Sequence, residues 1–280
     1  MNTGDCGMVS VLILTLNEED NLPECLSLLK WCDDIVVLDS HSTDRTVEIA
    51  KSFDNVRVIS RDFDTEWRQR NYGLHEVEYK HPWVYICDAD ERLSPALVEE
   101  ITSISASCES PHSAYRLRFR NMFMGQWIRH SSGYPVWIIR FVRPDKIHYE
   151  RRATNVHPMV NGSVGTLEGH FDHHSFGKGL TPWFRKHNYY STREASEGIR
   201  ARHEGFPFVS EIMSGDPMRR RRALKNMSYF LVGRGIIRFW HSYIFRLGFL
   251  DGRAGLEYCR MIAMYEFWTE VKMKANNFKD

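Results

Sequence analysis

The residues that most constrain this chain are Val84 to Glu91, where an apolar, β-branched run ends in two carboxylates separated by one residue. A strand has a side-chain period of two, so Asp88 and Asp90 are predicted to leave it on the same side. Ligands of open α/β sheets collect at the carboxyl ends of strands. Two hard oxygen donors there favour Mg²⁺ or Mn²⁺, which bind through carboxylates and substrate phosphates. A surface turn that caps the next helix at Ser94 is the alternative.

The first hundred residues alternate between apolar runs and helical patterns. The predicted strands are residues 9–16, 35–38, 56–59 and 83–87, and the predicted helices are residues 21–29, 46–52, 65–75 and 95–104. Strands that are apolar throughout and alternate with helices indicate a mostly parallel, doubly wound α/β sheet. No Gly-x-Gly-x-x-Gly follows the first run, which argues against a Rossmann domain for a nicotinamide cofactor.

The pattern changes near residue 114 and again near residue 180. Residues 114–119 and 136–142 are strand-like, residues 145–180 are predicted to be rich in loops, and helices are expected from Pro182 onward. We therefore predict one domain at residues 1–180 and a helical, basic and aromatic extension at residues 181–280. The six cysteines form no Cys-x-x-Cys pair, so they are predicted to be reduced and mostly buried rather than zinc ligands.

Polar clusters follow three of the predicted strands. The carboxyl ends of parallel strands meet at one edge of a sheet, with helix N-termini nearby, so the clusters predict a site for a nucleoside diphosphate and its cation. Each cluster alone is typical of a helix cap, whereas three in succession favour a binding site. The clusters contain Thr15, Asn17 and Glu18 after the first strand, Asp39, Ser42, Thr43 and Asp44 after the second, and Asp88 and Asp90 after the fourth.

In order and spacing these motifs resemble glycosyltransferase family 2, the inverting GT-A enzymes that use nucleotide-sugar donors. The similarity covers residues 8–180 and implies a GT-A sheet, a nucleotide-sugar donor (UDP-sugars favoured) and Mg²⁺ or Mn²⁺. It implies that Asp90 holds the metal, that Asp88 lies beside the ribose and the metal, and that residues 68–74 form a donor-site helix. The implied nucleotide-binding residues are Thr15, Asn17, Glu18, Asp39, Asp44, Arg68, Gln69, Asn71 and Asp88.

Later segments are similar to bacterial envelope-polysaccharide and lipopolysaccharide-core transferases, which implies a lipid-linked or lipopolysaccharide acceptor. They are residues 134–141, Asn155 to His157, residues 183–191 and residues 248–252. Many of those proteins carry Glu after the His, where this chain has Pro158. The general base is therefore assigned in the order His157, Glu150 and Asp172, with a structural histidine as the alternative for His157. The His170–His174 run is interpreted as a polar loop in preference to a zinc site.

Residues 218–260 carry ten Arg and Lys against two acidic residues, a local net charge of +8 in a chain whose net charge is +1. Interleaved aromatic residues predict an amphipathic segment lying on an anionic membrane surface. No run approaches the ~20 apolar residues of a membrane span, so a cytoplasmic protein, peripheral on the inner face of the cell membrane, is expected. The alternatives are a solvated basic helix, a catalytically silent membrane-docking protein and a nucleic-acid binder that uses Arg219–Arg222. The apolar content of residues 229–249 argues against nucleic acid.

Overall fold

The computed structural model describes residues 9–107, 110–151, 156–207 and 209–275. Within these ranges the strands are β1 (Ser10–Thr15), β2 (Ile35–Asp39), β3 (Val56–Ser60), β4 (Val84–Asp88), β5 (Glu91–Leu93), β6 (Ala114–Phe123), β7 (Gln126–Trp127), β8 (Trp137–Val142), β9 (Ile147–Tyr149), β10 (Pro158–Val160) and β11 (Val164–His173). The α-helices are α1 (Leu22–Leu28), α2 (Thr46–Lys51), α3 (Glu66–His75), α4 (Pro95–Ala106), α5 (Leu180–Glu204), α6 (Val209–Ile212), α7 (Pro217–Ser228), α8 (Arg234–Trp240) and α9 (Gly252–Lys274).

The chain divides into two compact units. The first contains the described residues up to Met122 together with Tyr134–Gly177, and the second contains Phe123–Gly133 together with the described residues from Lys178 onward. The sequence pattern placed residues 123–133 with the first part of the chain, whereas here they group with the C-terminal helices.

The main sheet of the first unit has the strand order β3-β2-β1-β4-β8-β6-β11-β5. Strands β3, β2, β1 and β4 run parallel, and β8 and β5 are antiparallel to their neighbours. Chain order reverses between β1 and β4, which is the position where open α/β sheets bind ligands. The mostly parallel α/β sheet predicted from the sequence is confirmed.

Helices cover both faces of this sheet, as the apolar strands require. One core combines β1, β2 and β4 with Leu22 and Leu26 of α1, Ala50 of α2 and Leu97 of α4. The other core lies on the opposite face and includes Leu74 of α3. Strands buried on both faces place their polar residues only at their ends, and this is where the predicted clusters lie.

Residues 145–180 contain more regular structure than the sequence analysis predicted. β9 and β10 form a two-stranded antiparallel ribbon, and β11 is a ten-residue strand of the main sheet. Within β11, Gly169 lies where a Cβ would come within 2.6 Å of the Leu97 Cα. This glycine therefore permits α4 to pack directly against the strand.

The second unit is built around α9, which packs against α5 and α8. Its Asp251 is buried and accepts hydrogen bonds from the backbone N–H groups of His130, at 2.9 Å, and Ser131, at 2.7 Å. The aspartate of the segment at residues 248–252 thus holds residues 126–131 within this unit. No helix among the described residues combines the length and apolar character needed to cross a membrane.

Candidate active site at the carboxyl edge of the sheet

Asp39 is buried at the end of β2 and joins two loops. The Thr15 hydroxyl donates to Asp39 Oδ1 at 2.9 Å, and the backbone N–H of Ser42 donates to Asp39 Oδ2 at 2.8 Å. The Ser42 hydroxyl donates to Oδ1 at 2.5 Å. Asp39 therefore connects the end of β1 to the loop after β2. Both lie at the carboxyl edge of the sheet, beside the β1–β4 position where the strand order reverses.

Asn17 completes the connection between these loops. Its φ of 56° lies in the left-handed region, which Asn tolerates better than most residues. Its backbone N–H donates to the Ser42 hydroxyl at 2.8 Å, and its Oδ1 accepts the backbone N–H of Thr43 at 2.8 Å. The turn after β1 is thus shaped by the loop after β2, although the two are distant in sequence.

Glu18, in the loop after β1, and Asp44, just before α2, both contact the first residue of α2. The backbone N–H of Glu18 donates to the Thr46 hydroxyl at 2.7 Å, and Asp44 accepts the backbone N–H groups of Thr46, at 3.0 Å, and Glu19, at 3.1 Å. Burial raises the pKa of Asp44, but these hydrogen bonds outweigh it and leave the pKa below its ordinary value. Asp44 therefore satisfies the first N–H of α2 and also helps to join the loops.

The three α3 residues of the predicted donor site have different surroundings. Gln69 is buried, and its Nε2 donates to the Ser40 hydroxyl at 3.1 Å, next to Asp39. Asn71 donates to the backbone carbonyl of Tyr149 at 2.9 Å and accepts its N–H at 2.7 Å. Arg68 is exposed and pairs with Asp64 at 3.2 Å. Gln69 thus belongs to the β2 edge, whereas Asn71 holds the β9–β10 ribbon.

Arg140 is the extra residue of a β-bulge in β8. Tyr115 pairs with Phe141 and the following residue, Arg116, pairs with Ile139, so the ladder passes over Arg140. A bulge turns a side chain away from its regular direction, and bulges are common beside active sites. Only 4% of Arg140 is exposed, and its Nη2 donates to both Asp88 Oδ2 and Glu91 Oε1.

Asp88 faces a second guanidinium group, that of Arg70 on α3. The Arg70 Nη2 lies 3.9 Å from Asp88 Oδ1, and the Arg70 guanidinium lies 5.4 Å from the Tyr149 ring centre. Both oxygens of Asp88 therefore have a cationic neighbour. Asp88 is held at the end of β4 by the sheet on one side and by α3 on the other.

The two carboxylates that share Arg140 differ in their pKa. Burial raises the pKa of Asp88, but Arg140 and Arg70 outweigh it and hold the pKa far below its ordinary value. Burial also raises the pKa of Glu91, and because the attraction of Arg140 is opposed by repulsion from Asp88, the pKa reaches about 8. Asp88 is therefore ionised at neutral pH, whereas the Glu91 carboxyl group takes up a proton there.

Asp90 has a different partner from Asp88. Its Oδ2 lies 3.3 Å from the His173 Nε2 at the end of β11, and the Nδ1 of His173 lies 3.0 Å from the Asn121 Oδ1. Burial lowers the pKa of His173, but its hydrogen bond to Asp90 and the other nearby carboxylates raise it above its ordinary value. Asp90 and His173 thus form a pair, with 26% of the Asp90 side chain exposed.

The three candidate bases lie on two different elements. Glu150 follows β9 and His157 precedes β10, and the backbone N–H of Glu150 donates to the His157 carbonyl at 3.3 Å. His157 is exposed and Glu150 is half-buried. Asp172 precedes His173 in β11, so these two side chains leave opposite faces of the strand. Asn155 of the predicted motif lies outside the described residues.

The residues present fit a divalent cation that a substrate helps to bind. Among the described residues, no group of three or more His, Cys, Asp and Glu side chains could hold a metal ion. Mg²⁺ is commonly bound by one or two protein groups together with substrate phosphates. Asp90 presents a partly exposed carboxylate, and the His173 Nε2 3.3 Å away would become a second ligand on release of its proton, while both oxygens of Asp88 face arginines.

Comparison with known proteins identifies the family. The family model for glycosyl transferase family 2 matches residues 10–160. This chain belongs to glycosyltransferase family 2. The lipopolysaccharide core biosynthesis glycosyltransferase LpsC of Rhizobium meliloti (strain 1021) is 28% identical over 199 residues, which cover 69% of this chain and 72% of LpsC.

Further similar proteins are a curated glycosyltransferase and two solved structures. The uncharacterized glycosyltransferase RT0209 of Rickettsia typhi (strain ATCC VR-144 / Wilmington) is 34% identical over 119 residues, 42% of this chain and 40% of that protein. Among solved structures, residues 1–349 of S. aureus TarS are similar with a TM-score of 0.44 and 14% identity, covering 98% of this chain and 93% of that one. Glucosyl-3-phosphoglycerate synthase from Mycobacterium tuberculosis is similar with a TM-score of 0.33 and 20% identity, covering 42% of this chain and 44% of that one.

Three residues at the edge of this family 2 sheet were missed as site residues by the sequence analysis. Arg70 lies within the predicted donor-site helix, Arg140 within the later motif, and His173 within the run interpreted as a loop. The local signal that could have identified Arg140 is a charged residue within an otherwise apolar strand, as in Ile138-Ile139-Arg140-Phe141. The pairing of His173 with Asp90 depends on β11 reaching the end of β5, which no local pattern indicates.

Proposed function

We propose that this family 2 enzyme transfers a sugar, with inversion, from a nucleotide-sugar donor to a lipid-linked or lipopolysaccharide-core acceptor. A UDP-sugar is the favoured donor. The similarity to LpsC supports the lipopolysaccharide acceptor. Two similar solved structures, of TarS and of glucosyl-3-phosphoglycerate synthase, are described in complex with UDP-GlcNAc and with UDP, respectively.

The single observation that carries the proposal is that Asp88 and Asp90 have different partners. Asp88 is neutralised by Arg140 and Arg70, whereas Asp90 is partly exposed beside His173. In this proposal Asp90, with His173 next to it, holds Mg²⁺ or Mn²⁺ together with the donor diphosphate. Such a cation offsets the charge that develops on the leaving diphosphate.

The nucleoside is proposed to bind at the loops after β1 and β2. Thr15, Asn17, Glu18 and Asp39 shape these loops, and Gln69 supports them from α3. Asp44 acts through the start of α2. Arg68 is exposed on the same helix and is proposed to approach the donor from the solvent side. The proposed nucleotide-binding residues are Thr15, Asn17, Glu18, Asp39, Asp44, Arg68, Gln69, Asn71 and Asp88.

The acceptor hydroxyl needs a base within hydrogen-bond reach. We keep His157 and Glu150 as the first two candidates, because Asn71 fixes Tyr149 and thereby holds their ribbon to α3, which also carries Arg70. Asp172 is the third candidate, since it leaves β11 on the face opposite to His173. Replacement of each by an uncharged residue, with turnover and nucleotide affinity measured separately, distinguishes them.

The acceptor is proposed to be reached at the inner face of the cell membrane. The support is the local net charge of +8 over residues 218–260, which suits an anionic surface. Replacement of Arg219–Arg222 by serine is expected to weaken binding to anionic vesicles and to leave nucleotide binding unchanged.

A panel of nucleotide sugars tests the proposed activity. The purified protein is mixed with each donor and a lipopolysaccharide-core oligosaccharide, and release of UDP or GDP is measured. We expect release above the acceptor-free rate for a UDP-sugar, and none for that donor with Asp88→Asn, because this change removes the charge that Arg140 and Arg70 face. No release with any donor, from a protein that still binds UDP, would contradict the proposed transfer.

A further inference from the structure

An unusual concentration of exposed apolar side chains lies in the second unit, between α7 and α9. Half of the twenty residues from 231 to 250 are exposed large hydrophobic residues. They are Leu231, Val232, Ile236, Ile237, Trp240, Ile244, Phe245, Leu247, Phe249 and Leu250, and we call them the apolar edge. Exposed hydrophobic patches of this kind mark sites of protein or membrane interaction.

The apolar edge is held firmly by the inner face of the same segment. Gly235 of α8 lies where a Cβ would come within 2.8 Å of the Ala263 carbonyl oxygen, so α8 packs closely on α9. The buried Arg234 pairs with Glu266 at 2.6 Å, and its N–H donates to Glu270 at 2.9 Å. The inner face of α8 is thus fully packed and paired against α9, and the outward-facing residues lie on an anchored helix.

Ring contacts make the edge continuous. Phe239 contacts Trp240 with ring centres 5.8 Å apart and stacks on Tyr243 at 5.3 Å. Tyr243 contacts Phe249 at 6.3 Å. On α8, Ile236 and Trp240 are four residues apart and so share one helical face. The exposed residues of α8 and of the turn at residues 248–251 therefore belong to one surface.

The charge around the edge identifies what can cover it. No acidic residue occurs between Asp216 and Asp251, a stretch that contains eight Arg and Lys. Arg246 is exposed among the apolar residues, and Arg238 is half-buried behind them. Aromatic and aliphatic side chains with arginine at their margin suit the boundary between anionic headgroups and acyl chains. A second copy of this chain would bring like charges together.

We propose that the apolar edge inserts into an anionic phospholipid bilayer, with Ile236, Trp240 and Phe245 reaching the acyl region. The inference rests on the proposed function and deepens it. The protein would attach to the membrane that carries the acceptor by hydrophobic insertion as well as by the charges of Arg219–Arg222. The two attachments differ in salt dependence, because charge attraction is screened and apolar insertion is not.

Vesicle flotation tests the insertion with the full chain. The vesicles contain phosphatidylethanolamine and phosphatidylglycerol, and flotation is measured at low salt and at about 1 M salt, where the screening length is near 3 Å. The double variant Ile236→Ser/Phe245→Ser removes two edge residues, and Met213→Ser is the matched control. Phe245 and Met213 are equally exposed, at 79% and 77%, and Met213 lies outside the edge.

We expect the wild type and Met213→Ser to float at both salt concentrations, and the double variant to bind at least about tenfold more weakly, since the two apolar side chains together contribute at least that factor. Thermal unfolding of the double variant is expected to match the wild type.

Flotation of the wild type that is lost entirely at high salt, or flotation of the double variant that equals the wild type, would overturn the insertion. So would a dimer in light scattering that the double variant converts to monomer, since the edge would then bind a second copy. UDP release without acceptor is measured in parallel, so a protein that floats but uses no donor contradicts only the proposed transfer.

Discussion

Replacement of Arg140 by methionine is predicted to destabilise the first unit severely. The change keeps much of the side-chain volume but leaves Asp88 and the fully buried Glu91 without their shared guanidinium. Removing one partner of a buried ion pair costs about 3–5 kcal/mol, because the remaining charge is uncompensated. Glu91 carries a proton at neutral pH, so the uncompensated charge is that of Asp88. Arg70, which remains 3.9 Å from Asp88, offsets only part of it.

Hydrogen exchange followed by mass spectrometry measures this loss locally. At about 1.4 kcal/mol per factor of ten, a loss of 3–5 kcal/mol speeds exchange in peptides of β4 and β8 by roughly 100- to several-thousand-fold. The double variant Arg140→Met/Asp88→Asn should recover part of the protection, because the carboxylate that was stranded is then replaced by a neutral group. Arg143→Met is the matched control, since this neighbouring guanidinium lies 4.9 Å from the Trp83 ring centre and its loss costs only ~1 kcal/mol. Equal exchange in Arg140→Met and wild type would refute the argument.

Three further predictions concern the nucleotide loops, the base and the second unit. Asp39→Ala is expected to weaken UDP binding by roughly 1.5–3 kcal/mol in calorimetry, because the loops after β1 and β2 lose the carboxylate that joins them; unchanged affinity would remove Asp39 from the nucleotide site. His157→Ala or Glu150→Gln is expected to lower turnover by about 10²–10⁴-fold with nucleotide affinity retained, and wild-type rates in both would transfer the role to Asp172. Asp251→Asn is expected to destabilise the second unit by about 1.5–3 kcal/mol at pH 7. Burial raises the pKa of Asp251, but hydrogen bonds from Ser131 and His130 lower it overall. The stability that ionised Asp251 contributes is therefore complete above the unfolded pKa near 3.9 and is lost as pH falls through the lower folded pKa. The difference in stability between the variant and the wild type should accordingly shrink below about pH 4.

The parallel half of the sheet could be predicted from the sequence because its signals are local. Val11–Ile13 and Ile35–Leu38 are buried on both faces, and such strands are apolar throughout. The polar residues that end these strands had to lie at the same edge. The four described cysteines are free and buried, as expected, and Cys6 and Cys108 lie outside the described residues.

The partners of the carboxylates could not be predicted because they depend on long-range pairing. Arg140 reaches Asp88 only through a bulge between β6 and β8, and His173 reaches Asp90 only because β11 crosses to pair with β5. Asp88 and Asp90 look equivalent in sequence, yet one faces two arginines and the other a histidine.

The most direct test of the account is the cation dependence of transfer in wild type and in Asp90→Asn. UDP release is measured with the preferred donor and acceptor, first in excess EDTA and then during titration with Mn²⁺, while UDP binding is followed separately. We predict that wild-type release disappears in EDTA and returns with Mn²⁺, and that Asp90→Asn stays at least about 100-fold slower at every Mn²⁺ concentration although it remains folded. Equal release by the wild type with and without EDTA, or wild-type release by Asp90→Asn, would contradict the assignment of the site.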